Sequence, residues 1–275
     1  MKNVGIYEAT GLSSEELYEV FNKNPRAYMA VRGAVAEKHL EKHLTYLYNQ
    51  GYIQGYRSAS GDMEKDFYVL INGVWKTIEC KNVQVIPITN KTQQIDYIEF
   101  LIERGMISLQ YLNSIIVSIG VAAPEIPLEQ LPASHIKEIY KRLPQELRES
   151  GLTKYQYSSS KVRVTNIGIV SDDEFISQFH NSPMTIDFQR TRNSTDLVDG
   201  DTRRNRYYQL GEFDIVAACL FTRTTEWRFL YASANFVARH QTYPDRHSNK
   251  LTIHPGDWTS DLNAVLNYCL QSHGR

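Results

Sequence analysis

Residues 61–83 read GDMEKDFYVLINGVWKTIECKNV, and the middle of this stretch fixes its local structure. Asn72-Gly73 sits between two runs rich in β-branched and aromatic residues, the composition of a two-residue type I′ turn closing a β-hairpin. Pairing then runs outward from Ile71 with Val74 until Asp66 falls opposite Glu79. Because side chains alternate, Asp66, Tyr68, Leu70, Trp75, Thr77, Glu79 and Lys81 share one face. Phe67, Val69, Ile71, Val74, Lys76, Ile78 and Cys80 share the other, which is expected to be buried. Counted from the turn, Asp66 and Glu79 form a non-hydrogen-bonded pair, where Cα atoms lie only about 4.5 Å apart. Like charges so placed destabilise a sheet unless a cation or a shared proton relieves them. Oxygen donors alone point to a hard ion such as Mg²⁺. A solvated charged face, or a bulge that separates the acids, is the other reading of the same residues.

Working outward, the preceding segment reads as two helices. GLSSEELYEVFNKNP carries Ser13 and Glu16 at capping-box spacing with Pro25 beyond its end. A longer helix follows over roughly 28–49, in which Gly33, Glu37, Leu40, Leu44 and Leu47 recur at helical intervals. Glu37 thus lies on the apolar stripe, where it needs a partner or a place at the stripe's edge. GYIQGYRS is expected to be a first strand, giving the order helix, strand, strand, strand.

Residues 84–183 interrupt this pattern. Two helical stretches, TQQIDYIEFLIERG and ASHIKEIYKRLPQELRESG, flank the apolar run SIIVSIGVA among several prolines, and together they read as an inserted, mostly helical subdomain. In TKYQYSSSKVRVTN, Lys154, Lys161 and Arg163 offer contacts to a phosphate backbone, or mark a hydrated loop and edge strand. The core resumes at 184. FDIVAACLF is continuously apolar and fits a central strand covered on both faces, and WRFLYASA fits a neighbour across the polar TRTTE. The organisation expected is therefore 1–83, an insert over 84–183, and 184–275. Between these runs, Gln189, Arg190, Arg192, Arg203 and Arg204 cluster among acids, as in a surface that reads bases or phosphates, or in an arginine–aspartate network that pins a loop. The chain ends in DWTSDLNAVLNYCLQS, a helix with Leu262, Val265, Leu266, Cys269 and Leu270 as a docking face.

Composition sets the outer limits. The 275 residues carry a net charge of −1, with 42% hydrophobic and 22% charged residues, which describes a globular protein rather than one that coats nucleic acid by charge alone. Three separated cysteines, Cys80, Cys219 and Cys269, read as core thiols in a reducing compartment. With no apolar signal core and no membrane-length run, a cytoplasmic protein without membrane contact is expected. His39 and His43, or His240, His247 and His254, lack the companions of a zinc site.

Glu37 on a long helix, Asp66 on one strand and Glu79-Cys80-Lys81 on the next resemble the PD-(D/E)XK nuclease superfamily, and within it the type II restriction endonucleases. DFQRTR, RYYQLGEFDIVAACL and EWRFLY are similar to the later part of such enzymes. Lys65 stands where proline commonly precedes the aspartate, and Asp62 or Glu64 is the ligand if the strand slips by two. The resemblance implies an α/β fold, a restriction-endonuclease-like core with a central mixed β-sheet flanked by helices. It also implies Mg²⁺ held by Asp66, Glu79 and the Cys80 carbonyl, with Lys81 serving the attacking water and Glu37 acting through a metal-bound water or on Lys81. The implied activity is sequence-specific cleavage of double-stranded DNA by a homodimer, alongside a cognate DNA methyltransferase. A nuclease without fixed sequence, and a DNA-binding module without catalysis, are the other readings.

Overall fold

The computed structural model describes residues 5–60, 64–122, 124–149, 151–161, 168–190 and 204–271. Along the chain come α1 (Ile6–Thr10), α2 (Ser14–Lys23) and α3 (Pro25–Asn49), then β1 (Gly55–Ser58), β2 (Phe67–Ile71) and β3 (Val74–Asn82). Next are α4 (Lys91–Glu103), α5 (Leu109–Ser118), α6 (Ala133–Arg142), α7 (Gln145–Glu149), α8 (Gly151–Ser160) and α9 (Asp172–Ser177). The remainder holds β4 (Thr185–Asp187), β5 (Ile215–Cys219), α10 (Phe221–Thr224), β6 (Phe229–Ser233), β7 (Lys250–Thr252) and α11 (Leu262–Gln271). No helix among the described residues is long and apolar enough to cross a membrane.

By compactness the chain divides into one unit of residues 1–30 and 85–161 and a second of 31–84 and 162–275. Residues 1–30, 84 and 162–183 thus fall on the other side of the division from the segments drawn from the sequence. The second unit is built on a mixed five-stranded sheet in the order β1-β2-β3-β5-β6. The β2–β3 hairpin forms in the expected register, Phe67 opposite Ile78 through Ile71 opposite Val74. Its turn uses positive φ at both Asn72 (49°) and Gly73 (75°), the conformation that the asparagine–glycine pair tolerates best. β3 pairs in parallel with β5, placing Glu79 beside Val216 and Lys81 beside Ala218, and β5 pairs antiparallel with β6.

Alternation along these strands divides the core. Phe67, Val69, Ile78, Cys80, Ile215, Ala217 and Cys219 pack on one face under α3 and α11, which contribute Leu40, Leu44 and Leu47 and Leu262, Val265, Leu266 and Cys269. Val216, Ala218, Leu230 and Ala232 face the other way, beneath Phe175 and Ile176 of α9 and the β4–β7 ribbon. Burial of such side chains contributes roughly 1.5–3 kcal/mol each. β5 is buried along its whole length, which is why FDIVAACLF shows no alternation. The three cysteines are free and buried in this core.

Three local expectations change. Val74, assigned to the buried face, is 45% exposed beside the turn, while its partner Ile71 is buried. The buried stripe of α3 runs through Ala36, Leu40, Leu44 and Leu47, so Glu37 sits at its edge, half-buried. The polar TRTTE linker is buried at Thr222, Arg223 and Thr224: Thr222 donates to the Val83 carbonyl (2.6 Å) and Arg223 to that of Ser182 (2.7 Å).

The first unit is helical. Ser13 caps α2, accepting from the Glu16 N–H at 3.2 Å, while the Glu16 carboxylate accepts from the Ser13 N–H at 2.8 Å. Its core is Ile95, Ile98, Leu101, Ile115, Ile116, Ile136, Ile139 and Tyr157. The first part of the serine- and tyrosine-rich segment, for which phosphate contacts and a loop with an edge strand were the alternatives, is α8, with Tyr157 fully buried beside Tyr97 and Phe100. Lys161 is ion-paired to Asp96 at 2.6 Å, and Arg163 lies outside the described residues.

Candidate active site

The site grows from β3 in the second unit. Alternation turns Ile78 and Cys80 into the core, so Glu79 and Lys81 project together from the opposite face. Lys81 Nζ donates to Glu79 Oε1 at 2.6 Å, and the Tyr208 hydroxyl donates to the same oxygen. Asp66 lies one residue before β2, at the position that continues the register to Glu79. Its Oδ2 accepts the Cys80 N–H at 2.7 Å. The two-residue slip that would substitute Glu64 is absent: Glu64 bonds Arg57 (3.0 Å) and the Ser60 N–H (2.6 Å), which hold its carboxyl down at about 2. Asp62 lies outside the described residues.

Electrostatics bind these groups into one unit. Burial, then the charge of Glu79, push the Asp66 carboxyl up to about 7, against the opposing Lys81 charge and the Cys80 N–H, with Glu37 adding to the rise. Glu37 is raised by burial and by Glu79, against Lys81. Burial alone would depress the Lys81 ammonium, but Glu79, Tyr208 and Asp66 outweigh it and hold it well above the ordinary lysine value. Glu37, Lys38, Glu41, Ser58 and Asp66 line an open cleft of about 240 Å³, so Asp66 is reached from solvent on this side.

This donor set fits a hard divalent cation. Asp66, Glu79 and the Cys80 carbonyl offer oxygen only, and two neighbouring carboxyls are driven toward neutrality by burial and mutual charge, which a cation would reverse. Among the described residues no group of three or more His, Cys, Asp or Glu is already arranged around a common metal position. Glu79 Oε1 is instead held by Lys81 and Tyr208.

The residues assigned to DNA lie in different settings. Gln189 and Arg190 are half-buried, and Arg190 is ion-paired to Glu212. Arg204 pairs with Asp245 at 2.8 Å, while Arg192 and Arg203 lie outside the described residues. Of the histidine pair on α3, His39 stacks on Trp227, and His43 Nδ1 lies 2.7 Å from the Tyr231 hydroxyl.

Sequence reasoning missed Tyr208, Glu212 and Lys65. Glu212 Oε1 receives Lys65 Nζ (2.6 Å) and Arg190, and its Oε2 accepts the Gln209 N–H at 2.7 Å. Burial works to raise the Glu212 carboxyl, but these bonds and charges outweigh it and hold it below the ordinary range. RYYQLGEFDIVAACL carried part of the resemblance, but nothing in it singled out Tyr208 or Glu212. No family model, no curated protein and no solved structure matches the chain.

Proposed function

We propose that this chain is a Mg²⁺-dependent endonuclease that hydrolyses phosphodiester bonds of double-stranded DNA, of the type II restriction class. The observation that carries the reading is Asp66, one residue before β2, bonded to the Cys80 N–H of β3 at the register position of Glu79, with the Lys81 ammonium on Glu79. Asp66, Glu79 and the Cys80 carbonyl would hold the ion, whose chemistry when bound is to polarise the scissile phosphate and acidify a water. Lys81, whose ammonium Glu79, Tyr208 and Asp66 favour in the metal-free site, would orient or deprotonate the attacking water and face the charge that develops on phosphorus. Glu37, with its raised proton affinity, accepts a hydrogen bond from the water or braces Lys81.

A homodimer follows from the symmetry needed to cut both strands of a palindromic site, and a cognate methyltransferase from the need to protect that site. Sedimentation with and without DNA tests the dimer. The decisive experiment is incubation with plasmid DNA and Mg²⁺. Discrete bands support the restriction class, and a smear supports a nuclease without fixed sequence. Duplex binding without cleavage supports a DNA-binding module.

A further inference from the structure

We propose that Lys65 and Arg190, brought together on Glu212 against the ring of Tyr208, form a phosphate-binding pair beside the Asp66–Glu79–Lys81 centre; the proposal rests on the DNA-cleaving reading above. Both cations end on one oxygen, Glu212 Oε1, with Lys65 Nζ at 2.6 Å. Two like charges converging on one atom repel, and a single carboxylate offsets only one of them. The Tyr208 ring collects the cations as well: Lys65 Nζ lies 5.6 Å, Arg190 Cζ 5.4 Å and Lys81 Nζ 5.6 Å from its centroid. Lys81 is answered by Glu79 and Asp66, whereas Lys65 and Arg190 share Glu212 alone, which leaves a positive charge over at that carboxylate.

That surplus sits in a site, not on an open surface. Tyr208 is 4% exposed, wedged against Phe188 and Phe213 at centroid distances of 4.7 and 5.6 Å. The side chains of Lys65 and Arg190 are 12% and 23% exposed, enough to meet a ligand while largely removed from screening water. A lysine ammonium has three N–H donors and a guanidinium five, so each cation has more donors than Glu212 Oε1 engages. A tetrahedral oxyanion carried on a polymer suits such a pair: Arg190 offers a planar fork and Lys65 a compact charge. Tyr208 fixes where that oxyanion lies, because the ring that Lys65 and Arg190 share also has Lys81 Nζ 5.6 Å from its centroid and donates its hydroxyl to Glu79 Oε1. Glu212 is then the residue that aims the pair, and Arg190 contacts backbone phosphate rather than a base edge.

The test is binding of a short fluorescent DNA duplex across a salt series, in EDTA and again with Ca²⁺. Each phosphate contact contributes about −0.9 to the slope of log K against log salt, so Lys65→Ala and Arg190→Ala should each flatten the slope by about one. Lys65→Arg and Arg190→Lys should keep the wild-type slope, and so should Lys42→Ala, a charge removed from the solvent face of α3. If either alanine variant fails to melt cooperatively, Lys65→Gln and Arg190→Gln, which keep most of the stem, carry the measurement. A wild type that binds duplex with a slope shared by all the variants overturns the pair alone. A wild type that does not bind duplex even at low salt overturns the DNA reading together with it.

Discussion

Replacing Asp66 by asparagine keeps the shape of the side chain and an acceptor for the Cys80 N–H while deleting a charge that burial and Glu79 oppose. In the unfolded chain the aspartate titrates near 3.8, and in the folded, metal-free protein its carboxyl is lifted to about 7. Between these values the folded state holds a proton that the unfolded state has released, so stability falls as pH rises. The contribution is fully present below about pH 4 and is lost as pH passes through 7. At about 1.4 kcal/mol for each pH unit, the loss totals roughly 4 kcal/mol, of which about 3 kcal/mol falls between pH 5 and pH 8. Asp66→Asn lacks this term. The variant should therefore gain on the wild type by about 2–3 kcal/mol from pH 5 to pH 8 in EDTA, read from urea unfolding curves at both values. At pH 8, saturating Ca²⁺ should return the wild type toward the variant, by about 2.7 kcal/mol at a hundredfold excess over Kd, and should do little for Asp66→Asn. A stability gap that does not change with pH would refute the reasoning, because Asp66 would then titrate as a solvated carboxylate.

Lys81→Ala should abolish plasmid cleavage while a gel-shift assay shows duplex binding retained, since the residue serves the water and not the complex. Tyr208→Phe removes one of the two donors on Glu79 Oε1 and should cost about 1.5–3 kcal/mol in urea unfolding, the range for a hydrogen bond to a charged group. Asp214→Ala should cost about 1–3 kcal/mol, because it removes a partner of the buried Lys76 (3.3 Å) and the acceptor of the Thr77 N–H and hydroxyl; thermal melts check this. Leu44→Ala, at a fully buried position under the sheet, should lower stability by about 2–5 kcal/mol without altering duplex affinity in the same gel-shift assay.

What could be read from the sequence was what local chemistry determines. Asn72-Gly73 fixed the hairpin register, and with it the placing of Asp66 toward Glu79, because a two-residue turn leaves no freedom in the pairing. FDIVAACLF declared a central strand by its unbroken apolarity, and α11 showed its buried face by spacing. The misreadings share a cause in tertiary context. α8 has weak helical periodicity and many serines, and tertiary contacts hold it: Tyr157 packs on Tyr97 and Phe100, and Ser158 accepts from the Ile86 N–H. On α3, Leu40, Leu44 and Leu47 are buried as their spacing indicated, and only the position before them differs, since small Ala36 gave a weaker apolar signal than the spacing of Glu37. Tyr208 and Glu212 reach the site from a segment far from Lys65 and Glu79 in the chain, and contacts that distant leave no trace in spacing.

The hydrogen bond from the Cys80 amide to Asp66 has a spectroscopic consequence. An amide proton shared with a carboxylate resonates downfield, and it moves when that carboxylate gains a proton or turns toward a cation. The ¹H–¹⁵N cross-peak of Cys80 is therefore a native reporter of the charge on Asp66, set in a central strand and needing neither label nor mutation at the site. Followed in a titration without metal, its midpoint reads the proton affinity of that carboxyl; followed against added Ca²⁺ at fixed pH, it reads occupancy. One resonance thus separates proton from metal at this carboxylate, which an assay of strand cleavage merges into a single number.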